Sequence, residues 1–438
     1  MLILILLNIL LFTFYNKSIK SFSSLYNEKL KKIFIIGVVF ELILLLFYRL
    51  DLLSLNRNVY YSDAETYWKN TLELINYGQS DGYNALYYKI CYYLQISSPF
   101  IWVGWNNLFN ITCINFSIVF VVYSLTNFEF NKENDAELYR KIKLLLILTM
   151  FNPFIIYSLM RNLKDALFMV YVLFIAFILN KAINKNNIVF SLITYLFFSI
   201  SMYTMIQLRP WGFIIPLIAI AYLTIYLIIN LIKKVKKEFQ INRLKIILIL
   251  IFVLVALIFV SFVLCFKIFP HVIATLRVWI PSVMDSLMQR NLISMLLGFF
   301  KFIVAPGPLR ALFGNKYFVH YTESGNIMCC IGQIMWWLSI VIILSNFIIS
   351  IKNKKTNFKI KNHFCNFISI ITFIYIVIYV IQYGGTAEIR LRAVMYIFSF
   401  SIFFSIFSIN DYKCNKKIYN VVSILSILCF TLITFLGM

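Results

Sequence analysis

KIKLLLILTMFNPFIIYSLMRNLKDALFMVYVLFIAFILNKAINK, from Lys141 to Lys185, carries the plan of the whole chain. Two apolar runs, roughly 144–158 and 166–180, have lysines at their far ends: Lys141 and Lys143 before the first, Lys181 and Lys185 after the second. A short turn between them holds Arg161, Lys164 and Asp165. Apolar runs approaching this length cross a hydrocarbon core as helices, because only a helix satisfies its own backbone hydrogen bonds there. Lysine beside a span marks the cytoplasmic end. The stretch therefore predicts a helical hairpin, lysines inside and a charged turn outside.

Working outward, the same alternation recurs along all 438 residues, of which 62% are hydrophobic and 13% charged. The sequence predicts an all-α, polytopic transmembrane helical bundle of about twelve spans, forming a single integral membrane domain over residues 1–438. The spans fall near 1–15, 33–48, 100–124, 144–158, 166–180, 188–205, 211–232, 246–268, 327–349, 364–383, 393–409 and 418–435. Lysine clusters follow every second one: Lys17 to Lys32, Lys132 to Lys143, Lys181 with Lys185, Lys233 to Lys245, Lys352 to Lys361, and Lys413 to Lys417. This register puts both termini outside and makes residues 49–99 and 269–326 the long outer loops. The N-terminal MLILILLNILLFTFY has no basic n-region and reads as a first span, not as a cleaved signal. The eight cysteines show neither CxxC nor Cys/His metal spacing and read as small packing residues. The net charge of +23 sits in short inter-span clusters, which excludes a nucleic-acid-binding domain.

Arginine departs from the insertion rule. In this register nine of the eleven arginines lie outside, where lysine is scarce. Guanidinium grips phosphate through paired hydrogen bonds, so this distribution points to an outward site for a phosphate-bearing lipid. Arg161 and Lys164 are candidate phosphate contacts, with Asp165 at a helix start as support; the plain alternative is a clasp closing the hairpin. Arg209 stands just before Pro210 in a second outward turn. In the long loop, 281–290 has helical periodicity and reads as interfacial, while 292–304 is too short to span comfortably and reads as re-entrant. APGPLRALFGN then breaks the helix just before Arg310. His320 and Glu323 follow in FVHYTESGN; either suits a general base, or a phosphate or metal contact, and either also suits an ordinary loop. In GGTAEIRLR, Arg390 and Arg392 are placed to reach different oxygens of one phosphate or pyrophosphate, with Glu388 orienting one of them. A headgroup anchor is the alternative there.

Acidic candidates come first in the chain. Asp63 and Glu65, in SDAETYW, open the first outer loop behind Ser62. A carboxylate there suits deprotonation of an attacking hydroxyl, and the pair also suits a divalent cation (magnesium or manganese) held against a phosphate. A capped, solvated helix start explains the same residues without chemistry. Glu41, in the middle of the second span, is costly and suits a partner on a neighbouring helix.

In layout and short motifs the chain resembles the GT-C class of multi-spanning glycosyltransferases that use polyprenyl-phosphate-linked sugars. It is equally similar to polysaccharide repeat-unit polymerases of the Wzy and EpsG kind, which are arginine-rich on the outer face. The resemblance implies Asp63 and Glu65 as base or metal contact, with Arg310, Arg390 and Arg392 on the lipid phosphate. It implies as partners a membrane lipid, a polyprenyl-linked sugar donor and a glycan or lipid-linked acceptor, in the inner (plasma) membrane with the site extracytoplasmic. The chain departs from the GT-C pattern in having D-x-E for D-x-D and in placing the acidic loop after the second span. A transporter or flippase of lipid-linked or anionic substrates uses the same arginines, but also needs polar groups along an inward path, and the spans offer few besides Glu41. A non-catalytic scaffold is the third class.

Overall fold

A computed structural model of the chain describes residues 2–54, 63–77, 85–96, 104–129, 135–185, 187–238, 270–305, 307–312, 323–352, 362–384, 389–406 and 416–435. Every regular element among them is a helix. The first part of the chain gives α1 (Leu2–Ile19), α2 (Ser24–Ser54), α3 (Asp63–Tyr77), α4 (Ala85–Ile96), α5 (Trp105–Glu129) and α6 (Asp135–Met150). Then come α7 (Pro153–Met160), α8 (Asp165–Lys185), α9 (Ile188–Leu208), α10 (Ile214–Glu238), α11 (Pro270–Met288) and α12 (Leu292–Val304). The last are α13 (Pro308–Leu312), α14 (Glu323–Lys352), α15 (His363–Tyr383), α16 (Ile389–Ile406) and α17 (Lys416–Phe435).

Seven of these are long and apolar enough to cross a membrane: α1, α2, α5, α8, α9, α14 and α15. The count reaches nine if two bent pairs each make one span. The sequence pattern predicts about twelve. Of those, 246–268 lies outside the described residues, and the apolar stretches Ile214–Asn230 and Lys417–Cys429 are short.

Both bent pairs have identifiable causes. The run 144–158, expected as one span, is α6 and α7, bent by 51°. The Asn152 side chain accepts the N–H groups of Phe154 and Ile155 at 3.0 and 3.3 Å, and Pro153 occupies the first position of α7. A capped N-terminus therefore restarts the helix where proline cannot continue the α6 ladder. The second pair, Ile273–Met288 with Leu292–Val304, is bent by 110°. Asn291 caps α12 through the Ser294 N–H at 2.7 Å, while the indole N–H groups of Trp336 and Trp337 donate to the Ile303 and Val304 carbonyls at 2.8 and 2.9 Å. Those last-turn carbonyls have no partner within their own helix, so the two tryptophans supply one.

α7 is buried along its whole length, packed by α5, α14 and α16, while α8 packs on α5, α9, α10 and α15. The outward faces of α1, α2, α9 and α17 leave Leu6, Ile9, Ile35, Leu46, Leu192, Leu196, Leu425 and Ile427 exposed, as contact with hydrocarbon requires. Polar pairs join helices inside the bundle: Asn115 Nδ2 to Glu41 at 2.6 Å, Tyr195 with Thr224 at 2.7 Å, and Gln333 to Tyr396 at 2.9 Å. Glu41 thus has an amide partner from α5.

α14 approaches α7 closely at Gly332, where a Cβ would collide with the Phe154 backbone and the Asn152 side chain. We expect Gly332→Val to force the two helices apart and to cost at least the ~1–3 kcal/mol typical of overpacking. A fall in the thermal midpoint of detergent-purified protein, set against Gly37→Ala, which meets only the flexible Met150 side chain, would show it. Equal midpoints for the two variants would contradict the close approach.

Candidate functional site

The turn Arg161-Asn162-Leu163-Lys164 between α7 and α8 is buried, not a solvated outer loop. Three asparagines of α5 hold it. Asn107 Nδ2 donates to the Met160 carbonyl at 2.9 Å, and Asn110 Nδ2 donates to the carbonyls of Arg161 and Leu163, the latter at 3.1 Å. Asn106 Nδ2 and the Tyr87 hydroxyl both donate to Asn162 Oδ1, at 3.1 and 3.0 Å. These contacts satisfy backbone carbonyls that a buried irregular turn leaves without helix partners. Asn162 Nδ2 in turn donates to the Ala64 carbonyl at 3.2 Å, and Leu163 packs with Ala64 and Trp68. The turn thereby carries α3, and with it Asp63.

Charged groups from four elements meet at this end of the bundle. Asp165, the first residue of α8, forms an ion pair with Arg209 and a second, at 3.5 Å, with Arg390 Nε. Arg390 Nη2 also binds Asp63 at 2.9 Å, so one guanidinium bridges two carboxylates. The two carboxylates differ in setting: the Asp165 side chain is 2% exposed, that of Asp63 44%. Arg209 is positioned by Pro210, which forces the preceding residue into extended backbone (φ −144, ψ 132) and ends α9. Its guanidinium lies 5.8 Å above the Tyr379 ring. Lys164 is also buried here. Burial, with the Arg209 guanidinium beside it, holds its ammonium well below the ordinary lysine range; Arg390 adds to this and Asp165 opposes it.

The remaining candidates have other surroundings. Arg161, also buried, lies beside Tyr48 of α2 and Cys329 of α14. Residues two apart on a helix face nearly opposite ways, and Arg392 sits 5.9 Å above Phe302 of α12. Arg310 stands on α13, which packs against α14 and α17. Glu65 pairs with Lys69 at 3.1 Å along α3, so Asp63 and Glu65 answer to different partners. Among the described residues no group of three or more His, Cys, Asp or Glu side chains is placed to hold a metal ion. Glu323 opens α14; His320 and Glu388 lie outside the described residues. Arg290, the last residue of the stretch expected to be interfacial, donates to the Ile381 and Gln382 carbonyls at 2.8 and 3.4 Å and so caps α15. Gly384 follows at φ 60, where a Cβ would strike that guanidinium.

Sequence reasoning missed the asparagines. The signal was present in WNNLFN, Trp105 to Asn110: three amides within the first turns of an apolar run, where polar side chains need a partner.

No protein-family model, curated protein or solved structure matches the chain.

The two carboxylates should respond differently to neutralisation. Asp165→Asn removes the buried counter-ion of Arg209 and Arg390 and is expected to cost ~3–5 kcal/mol. Asp63→Asn, at a half-exposed carboxylate whose removal leaves Arg390 paired with Asp165, should cost no more than ~1 kcal/mol. Thermal midpoints of the two purified variants against wild type check this; equal effects would refute the division into buried and exchangeable partners.

Proposed function

We propose that the chain is a membrane glycosyltransferase or polymerase of cell-surface polysaccharide assembly, taking its sugar from a polyprenyl-(pyro)phosphate-linked donor. The observation that carries this reading is the Arg390 bridge, which sets a solvent-accessible carboxylate beside a buried cluster of cations. We further propose the full topology of about twelve spans, with lysine loops cytoplasmic and this cluster extracytoplasmic, in the inner (plasma) membrane.

In this account the donor phosphate docks against Arg209, Arg390 and Lys164, with Arg161, Arg310 and Arg392 contributing positive potential from neighbouring elements. The acceptor hydroxyl attacks the anomeric carbon. Its proton passes to the Asp63 carboxylate, the new glycosidic C–O bond forms, and the bond from the anomeric carbon to the phosphate oxygen breaks. That electron pair leaves with the polyprenyl (pyro)phosphate, whose growing negative charge meets guanidinium groups already oriented by Asp165. Preorganised charge in a water-poor site stabilises such a leaving group without reorganisation. No step in this scheme draws on a metal ion.

Purified protein in lipid nanodiscs, supplied with a polyprenyl-pyrophosphate-linked sugar and an acceptor glycan, is expected to transfer sugar. Asp63→Asn and Arg390→Lys should each lower the rate by about 100-fold or more, the scale of a lost general base or a lost charge contact. Full activity in both variants would overturn the assignment. Movement of the lipid-linked sugar across liposomes with no new glycosidic bond would assign the chain to transport.

A further inference from the structure

Arg390 meets its two carboxylates through different edges of the guanidinium: Nε faces Asp165 at 3.5 Å and Nη2 faces Asp63 at 2.9 Å. The two bonds are unlike in kind. Asp165 begins a buried helix and is also held by Arg209, so exchanging it would strand charges inside the protein. Asp63 begins α3 and its side chain is 44% exposed, so water reaches this pair from the Asp63 side and screens it more than the Asp165 contacts. A carboxylate and a phosphate present the same face to a guanidinium: two oxygens spaced for parallel N–H donors.

We infer that Asp63 is a built-in phosphate surrogate: its carboxylate occupies the Arg390 Nη2 edge until a phosphate monoester or diester displaces it. This rests on the phosphate-binding role given to the cluster above and adds a regulation to it. In the resting state an oxygen of the Asp63 carboxylate is engaged by Arg390. Arrival of the substrate phosphate takes over Arg390 and frees the carboxylate, so the base is released only when the leaving group is in place. Asp165 stays throughout and keeps Arg209 and Arg390 oriented. Lys69 pairs with Glu65 on the solvent side of α3, so the helix retains its own charge pairing when Asp63 lets go. Its anchorage to the turn through the Ala64 carbonyl and the Leu163 contact keeps the freed carboxylate nearby.

The test is anion affinity, measured separately from sugar transfer. Inorganic phosphate and geranyl phosphate are titrated by calorimetry into full-length protein in nanodiscs, the two probes separating a free phosphate from a lipid headgroup. Removing the internal competitor by Asp63→Asn should tighten binding about fivefold, because the competent state no longer has to be vacated. Glu65→Gln, the same charge change two residues away, should leave affinity within about twofold. Unchanged or weaker binding in Asp63→Asn, or equal tightening in Glu65→Gln, overturns the inference. If Asp63→Asn binds tighter while wild type transfers no sugar, the surrogate stands and the glycosyltransferase reading fails. If transfer is found and affinity does not change, the reverse holds.

Discussion

A buried turn with unpaired carbonyls is not tolerated inside a membrane bundle, and the arrangement of this protein's charged end follows from how that constraint is met. Residues 161–164 lie between the apolar helices α7 and α8, yet they are buried. Asn107 and Asn110 accept the task from α5, while Asn162, fixed by Asn106 and Tyr87, reaches out to α3. Once the turn is fixed, Asp165 is delivered at the start of α8 and Lys164 beside it. Arg209 and Arg390 then have a buried carboxylate to converge on.

Convergence creates an electrostatic imbalance with a direction. Asp165 is surrounded by Arg209, Arg390 and Lys164, and the second carboxylate, Asp63, comes from an exposed position. Burying cations costs free energy unless anions accompany them, and the depressed Lys164 ammonium records that cost within the protein itself. In the proposed function an incoming phosphate would relieve the imbalance. Stability given up at such a place is characteristic of binding sites.

The hydropathy pattern made the all-helical, membrane-crossing character legible, because spanning length is a rule that acts locally along the chain, while the expected count of about twelve exceeds the seven to nine candidate spans among the described residues. Helix ends written in local chemistry were legible too, such as the Pro210 that sets Arg209 in extended backbone. Asn152-Pro153 carried an equally local signal for a break within 144–158, but the apolar run masks it. Partner choice was not legible. That Arg390 meets Asp165 while Arg392 faces Phe302 depends on how α16 is rotated against α8 and α12, which the packing of distant residues decides. For the same reason the pairing of Glu65 with Lys69, and its separation from Asp63, appears only once α3 is seen as a regular helix from its first residue. The asparagine lattice was the largest omission, because each amide reads as a minor irregularity until the turn it serves is in view.

The account rests on phosphate being received where Asp165 gathers the cations, and locating the phosphate tests that most directly. Electron cryo-microscopy of the protein in nanodiscs with geranyl phosphate, in place of a full polyprenyl donor, should show the headgroup against Arg209 and Arg390, with Asp165 still bound to both. Headgroup density lodged instead at Arg310 or among the lysine loops, with the Arg390 cluster undisturbed, would contradict it.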